Sequence, residues 1–161
     1  MPSACYIPRM KLRILVLVLV AFAPLLAQQK ATKPNFTGTW RSVAPPSEAG
    51  QVQMVEHTAT ELRLRHASEG GGHDLRYVLD GKPHSTDSGK GFVAVDTASE
   101  TPTGVRIVTS TSYSNGNKLE MTQSWALNAK GQIEIQFSQS QNGAAPTKMV
   151  IVYEKQPEGR N

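Results

Sequence analysis

Lys118–Phe137 reads KLEMTQSWALNAKGQIEIQF, and each half of it alternates with a period of two. Leu119, Met121, Gln123, Trp125 and Leu127 alternate with Glu120, Thr122, Ser124 and Ala126. Ile133, Ile135 and Phe137 then alternate with Glu134 and Gln136. A helix gathers residues three and four apart on one face, whereas a strand sends successive side chains to opposite faces. Only strands collect this apolar set on one side. Between the halves lies Asn128-Ala129-Lys130-Gly131. A three-residue loop, Ala129-Lys130-Gly131, pairs Asn128 with Gln132, Leu127 with Ile133 and Trp125 with Ile135. It also puts Gly131 where such a loop needs left-handed backbone. A two-residue loop slips the register and turns one apolar set to water.

The same test applies at Asn115-Gly116-Asn117. A two-residue Asn-Gly turn sets Ile107 opposite Ser124. A three-residue loop ending at Asn117 sets Ile107 opposite Trp125, Val105 opposite Leu127 and Thr111 opposite Met121. Burial at about 1.5–3 kcal/mol per large apolar side chain outweighs any difference between turn types. The longer loop is therefore expected, with Asn117 left-handed. Alternation broken by Gly, Asn, Asp and Pro predicts further strands at Phe36–Val43, Val52–Thr58, Glu61–His66, Asp74–Leu79, Gly91–Thr97, Val105–Tyr113 and Lys148–Glu154, with His84–Thr86 a short tenth. Asp80-Gly81 marks a turn, and Pro83 suits a strand start or an edge. Many short strands with short turns mean a barrel or a two-sheet sandwich. Met149–Tyr153 is apolar throughout, which predicts cover on both faces. A last strand closing against the first selects the barrel.

The front of the chain has another character. Arg9, Lys11 and Arg13 precede an apolar run from Ile14 to Leu26, and Ala27 is a small residue for cleavage. That order reads as a signal peptide over residues 1–27, with Met10 a candidate true start. The run is shorter than the roughly 20 residues that cross a bilayer, so no stable membrane span is expected after cleavage. Residues 28–34 form a polar lead, 35–155 the barrel domain and 156–161 a polar tail. The expected location is extracytoplasmic, periplasmic or secreted. Cys5 is the only cysteine, so the mature chain has neither a disulfide nor a thiol nucleophile. The formal net charge of +4 falls to +1 without Arg9, Lys11 and Arg13, and the remaining cations are scattered. Nucleic acid is not an expected partner.

The first strand opens Asn35-Phe36-Thr37-Gly38-Thr39-Trp40 and the last closes Val152-Tyr153-Glu154-Lys155. Between these ends the chain resembles the lipocalin and wider calycin barrels, and among them the small exported lipocalin-like proteins of bacteria. The resemblance implies an all-β, antiparallel up-and-down barrel of about eight to ten strands. It implies that Gly38 and Trp40 plug the closed end, with Lys155 or Lys148 packed over the indole. Two departures stand out. Gln139–Thr147 is too short and too rich in Gly and Pro for the helix that full-length lipocalins place before their last strand, and lipocalin disulfides are impossible. The shorter calycins are nearer the pattern.

No catalytic residue, metal site or cofactor emerges. His57, His66, His73 and His84 form no His-Glu-x-x-His motif, and His57 with His66 reads as a surface pair on neighbouring strands. There is no Gly-x-Ser-x-Gly elbow. Gly70–Gly72 and Gly89-Lys90-Gly91 lack the strand–loop–helix setting of a phosphate cradle. Glu120 and Glu134 fall on the wet face, as do Arg63, Arg65 and Arg76. Tyr77, Phe92, Met121, Trp125 and Phe137 are the large residues of the inner face, which either fill a core or line a ligand site. The leading expectation is a non-enzymatic barrel holding a small apolar or amphipathic ligand. The alternatives are a protein-binding module, such as an extracytoplasmic protease inhibitor, and an enzyme working in the barrel interior.

Overall fold

A computed structural model describes residues 33–66, 73–87, 89 and 91–157. The signal-peptide segment, most of the lead and the end of the tail lie outside the described residues, as do Gly70–Gly72 and Lys90. Ten strands follow in order: β1 (Gly38–Ala44), β2 (Val52–His57), β3 (Glu61–His66), β4 (His73–Val78), β5 (Asp80–Asp87), β6 (Phe92–Thr101), β7 (Gly104–Tyr113), β8 (Lys118–Leu127), β9 (Ile133–Gln141) and β10 (Thr147–Lys155). One short 3-10 turn, Pro46–Glu48, lies between β1 and β2.

Every ladder is antiparallel, and the order is β4-β3-β2-β1-β10-β9-β8-β7-β6-β5. The last strand closes on the first, with Trp40 opposite Lys155 and Arg41 opposite Glu154. The chain is thus an up-and-down, nearly closed barrel. One seam stays unzipped: β4 and β5 are consecutive yet share no ladder, and β4 packs on β6 instead.

The β8–β9 hairpin has the expected register, Leu127 opposite Ile133 and Trp125 opposite Ile135, with Gly131 at φ 75°. At the preceding hairpin the expectation is corrected. The loop does hold three residues, but they are Ser114-Asn115-Gly116. Tyr113 and Asn117 flank it through a 2.9 Å bond from the Tyr113 N–H to the Asn117 carbonyl. Gly116, not Asn117, is left-handed at φ 86°. Val105 therefore faces Trp125, Ile107 faces Gln123 and Thr111 faces Leu119. The shift is two residues, so every side chain keeps its predicted face.

Other boundaries move for physical reasons. β1 starts at Gly38 because the Asn35 carboxamide oxygen accepts the Thr37 N–H at 2.8 Å, a local turn that folds Phe36 inward ahead of the strand. β5 runs eight residues rather than three. Asp80-Gly81 is absorbed as an irregularity in its ladder instead of making a separate turn. Pro83 sits on that edge strand, where its missing N–H leaves no neighbour unpaired. In β10, Ile151 and Tyr153 are buried, but Met149 is 39% and Val150 45% exposed, so its two faces are not both covered.

Burial is graded along the barrel. Phe36, Trp40, Val55, Leu62, Trp125 and Ile133 cluster, fully buried, around the end where β1 begins and β8 finishes. At the other end Leu75, Tyr113 and Met149 are substantially exposed.

Candidate binding site

The closed end is built on the Gly-x-Trp segment. The Trp40 indole N–H donates to the Phe36 carbonyl at 2.8 Å, which fastens the crossing segment to the strand. Lys155, not Lys148, is the basic partner, with Nζ 5.9 Å from the Trp40 ring centroid. Gly38 has φ 143°, and a Cβ there would stand 2.7 Å from the Lys155 Cε, so the glycine leaves room for the lysine stem. The Phe36 ring stacks on His57 with centroids 5.2 Å apart and meets Trp125 edge-on at 5.9 Å.

His57 is therefore an interior residue, and the surface pair with His66 is not formed. His57 and His66 lie at opposite ends of the β2–β3 ribbon. The His57 Nδ1 accepts the Phe36 N–H at 3.4 Å, and its buried Nε2 has no hydrogen-bond partner. Glu100 Oε1 stands 3.9 Å from that nitrogen. Burial depresses the imidazole pKa, against the raising influence of Glu100 and with a smaller lowering influence from Lys33. Lys33 itself pairs with Glu100.

Midway up the interior lies a polar chain. The Trp125 indole N–H donates to Gln123 Oε1 at 3.1 Å, and the Gln123 carboxamide lies near enough to the Tyr77 hydroxyl to act on its pKa. Burial raises Tyr77 to about 12, helped by the nearby Asp96 charge and opposed by the Gln123 side chain. Asp96 Oδ1 accepts the Thr109 hydroxyl at 2.6 Å. On another wall, Gln53 is fully buried between Trp40 of β1 and His66 of β3, and its Nε2 has no partner.

The five large residues expected on the inner face divide. Tyr77 and Trp125, 6% and 2% exposed, belong to the packed interior. Phe92, Met121 and Phe137 are half-buried, nearer the open end. Register carries this open lining round the wall: Phe92 lies opposite Tyr113, Met149 opposite Phe137, and Phe137 opposite Gln123. Leu75, opposite Leu64, adds the β4 wall and is 42% exposed. A recess of 360 Å³ opens at this end against Tyr113, Leu119, Gln139 and Gln141. A groove of 390 Å³ lies on the outer wall, against Arg106, Ser124, Gln136 and Lys148, and is no part of the interior.

The arginines of the wet face are paired there. Arg63 holds Asp74 at 2.6 Å, which lowers the aspartate pKa, and Arg76 holds Glu61 at 2.8 Å. Among the described residues no group of three or more His, Cys, Asp or Glu side chains could hold a metal ion.

Gln123, Gln53 and Phe36 were not singled out from sequence. Gln123 was readable as the one amide on the apolar parity of β8. Gln53 was not, because Val52 and Met54 give β2 a second apolar parity, although Met54 is 50% exposed.

No protein-family model and no curated protein sequence matches the chain. Solved structures do. Secretory abundant heat soluble protein 4 from Ramazzottius varieornatus is 14% identical with a TM-score of 0.45, the match covering 75% of this chain and 94% of that one. The REP1-NXSQ fatty acid transporter is 10% identical with a TM-score of 0.47, covering 76% of this chain and 97% of that one. The strand order and register, rather than these distant likenesses, define the architecture.

Proposed function

We propose that this chain is an exported, non-enzymatic barrel that holds a small apolar or amphipathic molecule, entering at the open end. One observation carries the reading. Phe92, Met121, Phe137, Leu75 and Met149 point along the inner parity of their strands yet stay partly or substantially exposed. A barrel that only packed its core would bury that set, as the closed end does. Apolar inner surface with a few converging polar groups is the usual make-up of a small-molecule site. Gly38 and Trp40 serve as the plug opposite the mouth.

The test is a titration of the purified protein with Nile red, joined to organic extraction and mass spectrometry of protein from its native compartment. Saturable Nile red binding that Phe137→Asp abolishes is the expected result. No binding and no extracted molecule overturn the proposal. Cleavage of the chain after Ala27, read by N-terminal sequencing of exported protein, tests the export half separately.

A further inference from the structure

Resting on that reading, we infer that the interior selects amphiphiles with an uncharged, hydrogen-bond-accepting head group and discriminates against ionised fatty acids. The charge on the inner face has one sign where it matters. The arginines of the described strands, Arg41, Arg63, Arg65, Arg76 and Arg106, all fall on the outward parity, opposite to that of their buried neighbours. Among the described residues, Lys155 is the one lysine on the inward parity. Its ammonium lies 5.9 Å from the Trp40 ring centroid, and the residue is exposed to solvent rather than buried inside. The inward acids are Asp96 and Glu100. An ionised carboxylate brought inside loses its hydration and meets no cation in return. It also meets the Asp96 charge across a medium that screens poorly.

The donors point the same way. The Trp125 indole N–H is spent on Gln123 and the Thr109 hydroxyl on Asp96. Gln53 Nε2 is left over, buried and aimed inside without an acceptor. Buried amide donors are rarely left so, and each one calls for an explanation. An ester, ketone, ether or alcohol oxygen on a ligand answers it with no charge to desolvate. The matching class is a neutral lipid or a comparable oxygenated apolar molecule.

The experiment displaces Nile red with two amphiphiles of equal chain length, dodecanoate and 1-monododecanoylglycerol, at about pH 8, where the fatty acid carboxylate is ionised. The monoester should displace at a concentration about tenfold lower, or lower still. Gln53→Leu should raise the melting temperature, because the orphaned donor is gone, and weaken the monoester severalfold while Nile red binds as before. Dodecanoate matching or exceeding the monoester overturns the inference and leaves apolar binding standing. So does a Gln53→Leu protein with unchanged monoester affinity. If Nile red and both amphiphiles all fail to bind, the proposed function falls and this selectivity falls with it.

Discussion

Replacing Gln123 by leucine tests the polar chain at mid-barrel. The side chain is buried, accepts the Trp125 indole N–H and lies against the Tyr77 hydroxyl. Leucine takes up similar space but leaves both groups without a partner. Each orphaned buried group costs about 1–3 kcal/mol, and burying leucine in place of an amide returns roughly 1 kcal/mol. The expected net loss is about 1–5 kcal/mol, a large share of the roughly 5–15 kcal/mol that holds a domain folded. Tyr77→Phe discriminates further. In the native background it removes a satisfied hydroxyl and costs about 1 kcal/mol. In the Gln123→Leu background it removes an orphan and should recover about 1 kcal/mol, because deleting both partners of a buried pair is close to neutral. The assay is urea unfolding followed by tryptophan fluorescence for all four proteins, with the slope checked for constancy. If Gln123→Leu falls within about 0.5 kcal/mol of the native chain, or if Tyr77→Phe costs the same in both backgrounds, the network does not exist.

Three further outcomes follow from the geometry. Tyr77 is pushed up to about 12 in the fold, so its contribution is intact below the unfolded tyrosine pKa near 10 and is lost as pH rises from there through about 12. That amounts to roughly 2–3 kcal/mol, and Tyr77→Phe should flatten the alkaline limb of a stability–pH curve. His57 has a depressed pKa, so the unfolded chain takes up its proton first. Stability is full above about pH 6.5 and falls as pH drops through the folded value, and His57→Gln should lose less over that acid limb. At Gly104 a Cβ would stand 1.7 Å from the Trp125 carbonyl oxygen, a backbone atom that cannot swing aside. Gly104→Ala should therefore cost more than the roughly 1–2 kcal/mol of left-handed strain expected for Gly116→Ala, where nothing lies within 4 Å of the added atom. Melting temperatures of the two variants decide the ranking.

What the sequence revealed and what it withheld follow one rule. Alternation reports which face a residue takes, so the inward set of β7, β8 and β9 was legible, and with it the barrel. Parity is blind to a shift of two, and at Tyr113–Asn117 only the glycine's backbone freedom distinguishes the true register from its neighbour. β5 was nearly invisible because all of its residues are exposed and neither face is apolar. Phe36 looked like strand because it is aromatic and adjoins one, while its inward turn depends on a single Asn35 side-chain bond. The polar chain at mid-barrel was hidden for a different reason. Whether a buried amide finds partners depends on strands distant in sequence, as Tyr77 on β4 and Gln123 on β8 are.

The line between β4 and β5 changes how this wall responds to load. A fully laddered ring widens only by breaking main-chain bonds somewhere on its circumference, whereas here dilation along one slit sacrifices side-chain packing alone. Hydrogen exchange should thus be fastest in the amides bordering that slit and slowest in β8 and β9. A guest too wide for the resting bore could be admitted elastically, the wall springing back with its hydrogen-bond count unchanged. The strand left bare on one lip carries Asp80, Lys82, Pro83 and Asp87, a composition that resists docking by a stray chain while the slit stands open.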